Sequence, residues 1–128
     1  MTGGGSKDVR SAALLACVLI CLSASAAERG LASWYGEEHR GKLMANGKPF
    51  DPDALTAASW SYALGTRVRV SLASATSVPR SVVVTITDRG PARRLVRAGR
   101  LIDLSQEAFR QLAPPELGCV AVVVQSLP

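Results

Sequence analysis

Ser81-Val-Val-Val-Thr-Ile-Thr-Asp88-Arg89-Gly90-Pro91 is the most informative string in the chain. The residues from Ser81 to Thr87 are mostly apolar and β-branched, the pattern of a strand that crosses the interior of a barrel. Asp88 then sits at the strand end, and Gly90-Pro91 redirects the chain at once. A carboxylate held there stands at a barrel mouth, where a rigid scaffold displays catalytic groups. Taken alone, Asp followed by Gly-Pro also describes an ordinary capped turn.

Working outward, the segments from Gly30 onward are short, β-branched and interrupted by turn signals, which makes the fold mainly β. Leu31 to Tyr35 reads as a first strand, and Gly36 to Pro49 as a loop with a tight turn at Asn46-Gly47. Thr66 to Ser71 alternates polar and apolar residues, as a half-buried strand does. Cys119 to Val124 is the closing strand. One short helix is expected, Gln106 to Leu112, capped by Ser105 and ended by Pro114-Pro115.

The N-terminus carries Lys7 and Arg10, an apolar run from Ser11 to Leu22, and Ala24-Ser25-Ala26, the three parts of a cleavable signal peptide. A membrane-spanning helix needs about 20 predominantly apolar residues, and the uncharged stretch from Ser11 to Ala27 ends in small or polar ones. Ala16-Cys17 fits a lipoprotein pattern, but too little apolar chain precedes Cys17. The reading is therefore a signal peptide over residues 1–26 and one exported domain over residues 27–128. Membrane contact is then through the signal alone. Cys119 is the one cysteine left in the mature domain, where it reads as a small hydrophobe in a strand.

The net charge is +5 for the whole chain, and loss of Lys7, Asp8 and Arg10 lowers it to about +4. An exported basic domain meets anionic wall or membrane polymers, and export argues against nucleic acid as a partner.

Seven blocks stand in order: Ala32-Ser-Trp-Tyr-Gly36, Ala45-Asn-Gly47 with Phe50-Asp51, Thr56-Ala-Ala58, Leu64-Gly-Thr-Arg-Val-Arg-Val70, Ser81-Val-Val-Val84, Asp88-Arg-Gly-Pro91 and Ile102-Asp-Leu-Ser105. Together they resemble the rare-lipoprotein-A (RlpA) family of septal-ring-type, endolytic peptidoglycan lytic transglycosylases. The resemblance runs from about Gly30 to Val124. It implies a six-stranded double-psi β-barrel, similar to barwin and expansins, with a glycan groove across one face. The implied reaction cleaves the MurNAc-GlcNAc β-1,4 bond of peptidoglycan strands lacking stem peptides and leaves 1,6-anhydroMurNAc ends. No metal or other cofactor is implied.

Such a reaction needs an acid for the leaving glycosidic oxygen and then a base for the C6 hydroxyl, roles one carboxyl group can fill in turn. By position in the blocks, Asp88 is expected to be this catalytic group, with Asp51 as the second carboxylate. Asn46, Ser59, Trp60, Tyr62 and Arg89 are the expected substrate-binding residues, Trp60 and Tyr62 because aromatic faces pack on sugar rings. Asp103, flanked by apolar residues, reads as an internal hydrogen-bonded group. The chain departs from the family at Lys48, where an acidic residue is common, and at Ser59, where a histidine is. A non-catalytic, expansin-like glycan-binding barrel is the alternative. Arg93, Arg94, Arg97 and Arg100 read as a solvated face or as a patch for anionic wall polymers.

Overall fold

A computed structural model describes residues 26–74 and 78–128. The signal peptide expected over residues 1–26 lies outside the described residues, apart from Ala26.

Six strands close into a barrel: β1 (Glu28–Tyr35), β2 (Thr56–Ala58), β3 (Arg67–Leu72), β4 (Ser81–Asp88), β5 (Arg100–Ser105) and β6 (Cys119–Ser126). Their order around the barrel is β1-β5-β2-β4-β3-β6. The β1–β5 and β2–β4 pairs are parallel, and the other four are antiparallel. This is the expected double-psi architecture.

Alternation explains which side chains fill it. Val68 and Val70 on β3, Val82, Val84 and Ile86 on β4, and Val122 and Val124 on β6 all point inward and are buried. Arg67 and Arg69 take the outer positions of β3. Each buried Val or Ile contributes about 1.5–3 kcal/mol. A helix, α2 (Gln106–Leu112), seals one end with Ala108, Phe109 and Leu112. Ser105 ends β5 and caps that helix, its hydroxyl accepting from the Ala108 N–H at 3.3 Å and donating to the Ala54 carbonyl at 2.6 Å.

Two features depart from the sequence reading. A second short helix, α1 (Arg93–Arg97), occupies the arginine-rich stretch, so one helix was too few. None of its residues is buried, and local bonds from Leu95 and Val96 to the Ala92 carbonyl close it, so no apolar periodicity announces it. The strands also run one to three residues past the expected ends, as ladder pairing continues beyond the apolar runs.

Candidate functional site

The site begins at Ala58. On one side Ala58 pairs with Asp88 of β4, and on the other with Asp103 of β5. Strands lie about 4.8 Å apart, so the two aspartate Cα atoms are separated by about 10 Å across the small Ala58. Next along the same row, Asp103 pairs with Ser33 of β1. Side chains of residues directly opposite one another in a ladder share a face, and Ala58 contributes only a methyl group between the two carboxyls. A register irregularity aligns Ala57 with Ile86 but Ala58 with Asp88, leaving Thr87 as the extra residue. Such a bulge re-aims the side chain that follows it.

Asp103 is half-buried and accepts a hydrogen bond from the Ser33 hydroxyl at 3.1 Å. Its pKa is raised to about 6, chiefly by burial; the Ser33 bond and the charges of Arg100 and His39 oppose the rise, and Asp88 adds to it. Asp103 therefore holds a proton over much of the mildly acidic range. Asp88 is fixed differently, with Oδ1 accepting from the backbone N–H groups of Ala45 and Arg89, both at 2.9 Å.

Tyr35 closes the group. Burial raises its pKa, and the charges of Asp88 and Asp103 raise it further. Its ring stacks on Phe50 with centroids 4.2 Å apart, and its buried hydroxyl has no hydrogen-bond partner among the described residues. His39, the one histidine of the chain, packs edge-on against Tyr35 at 5.7 Å. It is half-exposed, as a loop histidine should be, yet its charge is felt at Asp103.

The expected site residues divide. Asp51 is exposed: Oδ1 accepts from the Asp53 N–H at 2.9 Å and faces the Arg40 guanidinium at 3.5 Å. Asp88 is not among its hydrogen-bond or ion-pair partners. Ser59 is fully buried, its hydroxyl accepting from the Ser61 N–H at 3.0 Å and its N–H donating to the Asp88 carbonyl at 3.1 Å. Arg89 donates to the Ser59 and Tyr62 carbonyls at 2.7 and 2.6 Å and braces the loop between them.

Trp60 is exposed and anchored by its indole N–H to the Pro91 carbonyl at 2.7 Å. Tyr62, expected to pack on a sugar ring, is half-buried against the core, and burial pushes its pKa up to about 12. Asn46 shapes its turn, Oδ1 accepting from the Lys48 N–H at 3.0 Å, and lines a groove of about 590 Å³ with Lys48, Thr56 and Thr85. Among the described residues no group of three or more His, Cys, Asp or Glu side chains is placed to hold a metal ion.

Sequence reasoning did not bring Tyr35 beside the carboxyls and treated Asp103 as structural. The one signal for Asp103 was its place in Ile102-Asp-Leu-Ser105, and that motif does not reveal which residue stands opposite it.

A family model described as lytic transglycolase matches residues 27–124. A protein of Nostoc sp. named "Probable endolytic peptidoglycan transglycosylase RlpA" is 45% identical over 101 residues, covering 77% of this chain and 25% of that protein. The chain thus spans about a quarter of the length of that relative and of a like-named Synechocystis protein, to which it is 46% identical over 84 residues. Among solved structures, the Streptomyces papain inhibitor superposes with a TM-score of 0.60 at 24% identity, covering 80% of this chain and 96% of that one. A Clavibacter michiganensis expansin in complex with cellohexaose gives 0.58 at 21% identity, covering 80% and 51%. These structural likenesses concern the fold.

Proposed function

The chain belongs to the lytic transglycolase family, and from that premise we propose that it is an endolytic peptidoglycan lytic transglycosylase with Asp103 as its acid and Asp88 as its second carboxylate. The observation that carries this is the pairing of both aspartates with Ala58, one on each side, together with the rise of the Asp103 pKa to about 6 through burial.

Asp103, protonated, delivers its proton to the glycosidic oxygen as the C1–O bond breaks. Asp88, oriented by two backbone donors, faces the positive charge that develops at C1. The C6 hydroxyl then closes on C1 and gives its proton to the Asp103 carboxylate. The acid is restored and no water is consumed. Tyr35, with a buried hydroxyl that feels both carboxyl charges and has no hydrogen-bond partner among the described residues, is available to donate to a substrate oxygen. Asp51, in its turn with Asp53 and Arg40, holds the loop that carries Phe50 and so positions Tyr35.

This assignment moves the acid from Asp88 to Asp103. It also removes the need for a histidine at position 59, since the titrating group is a buried carboxyl on β5. Substrate is the wall glycan, which puts the working protein outside the cytoplasm, in the periplasm or wall space. The second reading, a non-catalytic glycan-binding barrel, draws on the expansin neighbour and its bound cellohexaose.

The test uses stem-peptide-free glycan in water enriched in oxygen-18, with products read by mass spectrometry. Anhydromuramyl ends without label support the transglycosylase. Labelled reducing ends would make the protein a hydrolase, and retained glycan pulldown without product would make it a binder.

A further inference from the structure

β1 ends at Tyr35, and the chain reverses at once through Gly36 into a single turn over Glu37–His39. A side chain at Gly36 would collide with the Trp34 ring at 2.8 Å, so glycine is what lets the turn fold back this closely. The turn is tied at both ends: the His39 N–H donates to the Gly36 carbonyl at 2.9 Å, and the Lys42 N–H donates to the His39 carbonyl at 3.0 Å. Gly41 and Lys42 then pair with Phe50 through two backbone bonds of 2.9 and 2.8 Å. Tyr35 is thereby held between two rings, stacked on Phe50 and edge-on to His39 at an interplanar angle of 81°.

The same face carries the acid. Ser33 and Tyr35, two apart on β1, point to one side, and Ser33 is both the register partner and the hydrogen-bond donor of Asp103. Tyr35 stands two positions further along, opposite Ser105, which makes it a diagonal neighbour of Asp103 on that face. The charge of Asp103 is felt at Tyr35, and the charge of His39 is felt at Asp103. From this arrangement we propose that His39 is a positioning residue for the Asp103 acid, its imidazolium steadying the carboxylate that remains once the proton has gone to the glycosidic oxygen. It acts across the edge of Tyr35 and takes no proton from the substrate. This rests on the reading of Asp103 as the acid.

The charges around the pair leave this role to His39. Asp103 is faced by Arg100 on its own strand, by Ser33 and Tyr35 from β1, by Asp88 of β4 across Ala58, and by His39. Arg100 and His39 are the cations of this set, and both favour the ionised carboxyl. A guanidinium is a fixed charge. An imidazole gains or loses its charge in the mildly acidic to neutral range, where Asp103 also ionises. On its other contacts His39 meets the Tyr35 edge and the exposed Glu38 carboxylate, Oε1 standing 3.3 Å from Nδ1. Arg40, next in the chain, is engaged by Glu37, Asp51 and Asp53 at 2.7, 3.5 and 3.0 Å. An imidazolium at position 39 therefore answers to two carboxyl groups, Glu38 at the surface and Asp103 in the site.

The experiment follows the Asp103 carboxyl carbon by NMR as pH is varied, in the folded protein labelled with carbon-13 at aspartate, and measures kcat/KM on stem-peptide-free glycan alongside. Wild type should show a midpoint of about 6. His39→Gln should raise it by about half a pH unit, the effect of removing one cationic charge from a partly exposed site. The limb of kcat/KM that falls with rising pH should move up by the same amount, and the plateau below it should drop about twofold, because a weaker acid transfers its proton more slowly. His39→Phe keeps an aromatic edge against Tyr35 without the charge and should give the same shift, whereas a packing role would leave the midpoint in place. Arg110→Gln removes a cation from α2 and should not move it. A midpoint unchanged in both His39 variants, or one that moves as far in Arg110→Gln, would overturn the inference. If product formation still depends on Asp103 in that case, the reaction reading survives; product formation that does not depend on Asp103 would end both.

Discussion

Asp88 and Asp103 are the two register partners of Ala58, one on each neighbouring strand. The residue between them is among the smallest available and only 3% exposed. Only the Ala58 methyl group therefore stands between the two carboxyls on the face they share. Burial raises the Asp103 pKa to about 6, and two backbone donors orient Asp88.

Enlarging the spacer should be costly in two ways. Ala58→Leu overpacks a filled position, at about 1–3 kcal/mol, and pushes its side chain into the gap between the carboxyls. Thermal melts should report the first effect. Steady-state kinetics should report the second as a fall in kcat of at least tenfold.

Asp103 should cost stability where it is ionised. Its folded pKa of about 6 lies above the ordinary value of 3.8, so the folded chain binds the extra proton between those values, and stability falls as pH rises through that window. Asp103→Asn removes the penalty and should stabilise the domain by about 2–3 kcal/mol at pH 7 and not at pH 3. Urea melts at the two pH values give the comparison. An inactive variant more stable than wild type at neutral pH is the expected signature of a group kept for chemistry.

The same titration predicts the rate profile. Activity requires Asp103 protonated in the free enzyme, so kcat/KM should decline as pH rises through about 6. Tyr35→Phe should shift this limb little, because burial is the largest cause of the raised value.

Ser105 joins β5 to α2 through two hydrogen bonds of its hydroxyl. Ser105→Ala removes the cap and leaves the Ala54 carbonyl without that donor, at a cost of about 1–2 kcal/mol. Denaturant unfolding followed by circular dichroism measures it.

Much of the barrel was legible because its strands alternate. Val68 and Val70, or Val82, Val84 and Ile86, declare the inward face at a glance. Ser105 before Gln106 to Leu112 likewise announces a capped helix. Thr56 to Ala58 carries no such signal: three residues make a strand only because β4 and β5 flank them. Helix α1 was illegible for the opposite reason, since it buries nothing.

The site was partly legible. Asp88 stood out at the end of a long apolar strand. Asp103, in contrast, gains its character from partners distant in sequence, Ser33 and Ala58, which only the strand register brings alongside. Ser59 and Arg89 occupy the expected region, yet they spend their polar atoms on the 59–62 loop, a use that local sequence does not specify.

The sharpest test of the account is the rate of anhydromuramyl-end formation by Asp103→Asn set beside Asp51→Asn, on the same stem-peptide-free glycan. With Asp103 as the acid, its loss should lower kcat by about 10²–10⁴, while Asp51→Asn, which loosens the loop beneath Tyr35, should cost far less. Near wild-type turnover in Asp103→Asn, with activity abolished in Asp51→Asn, would contradict it.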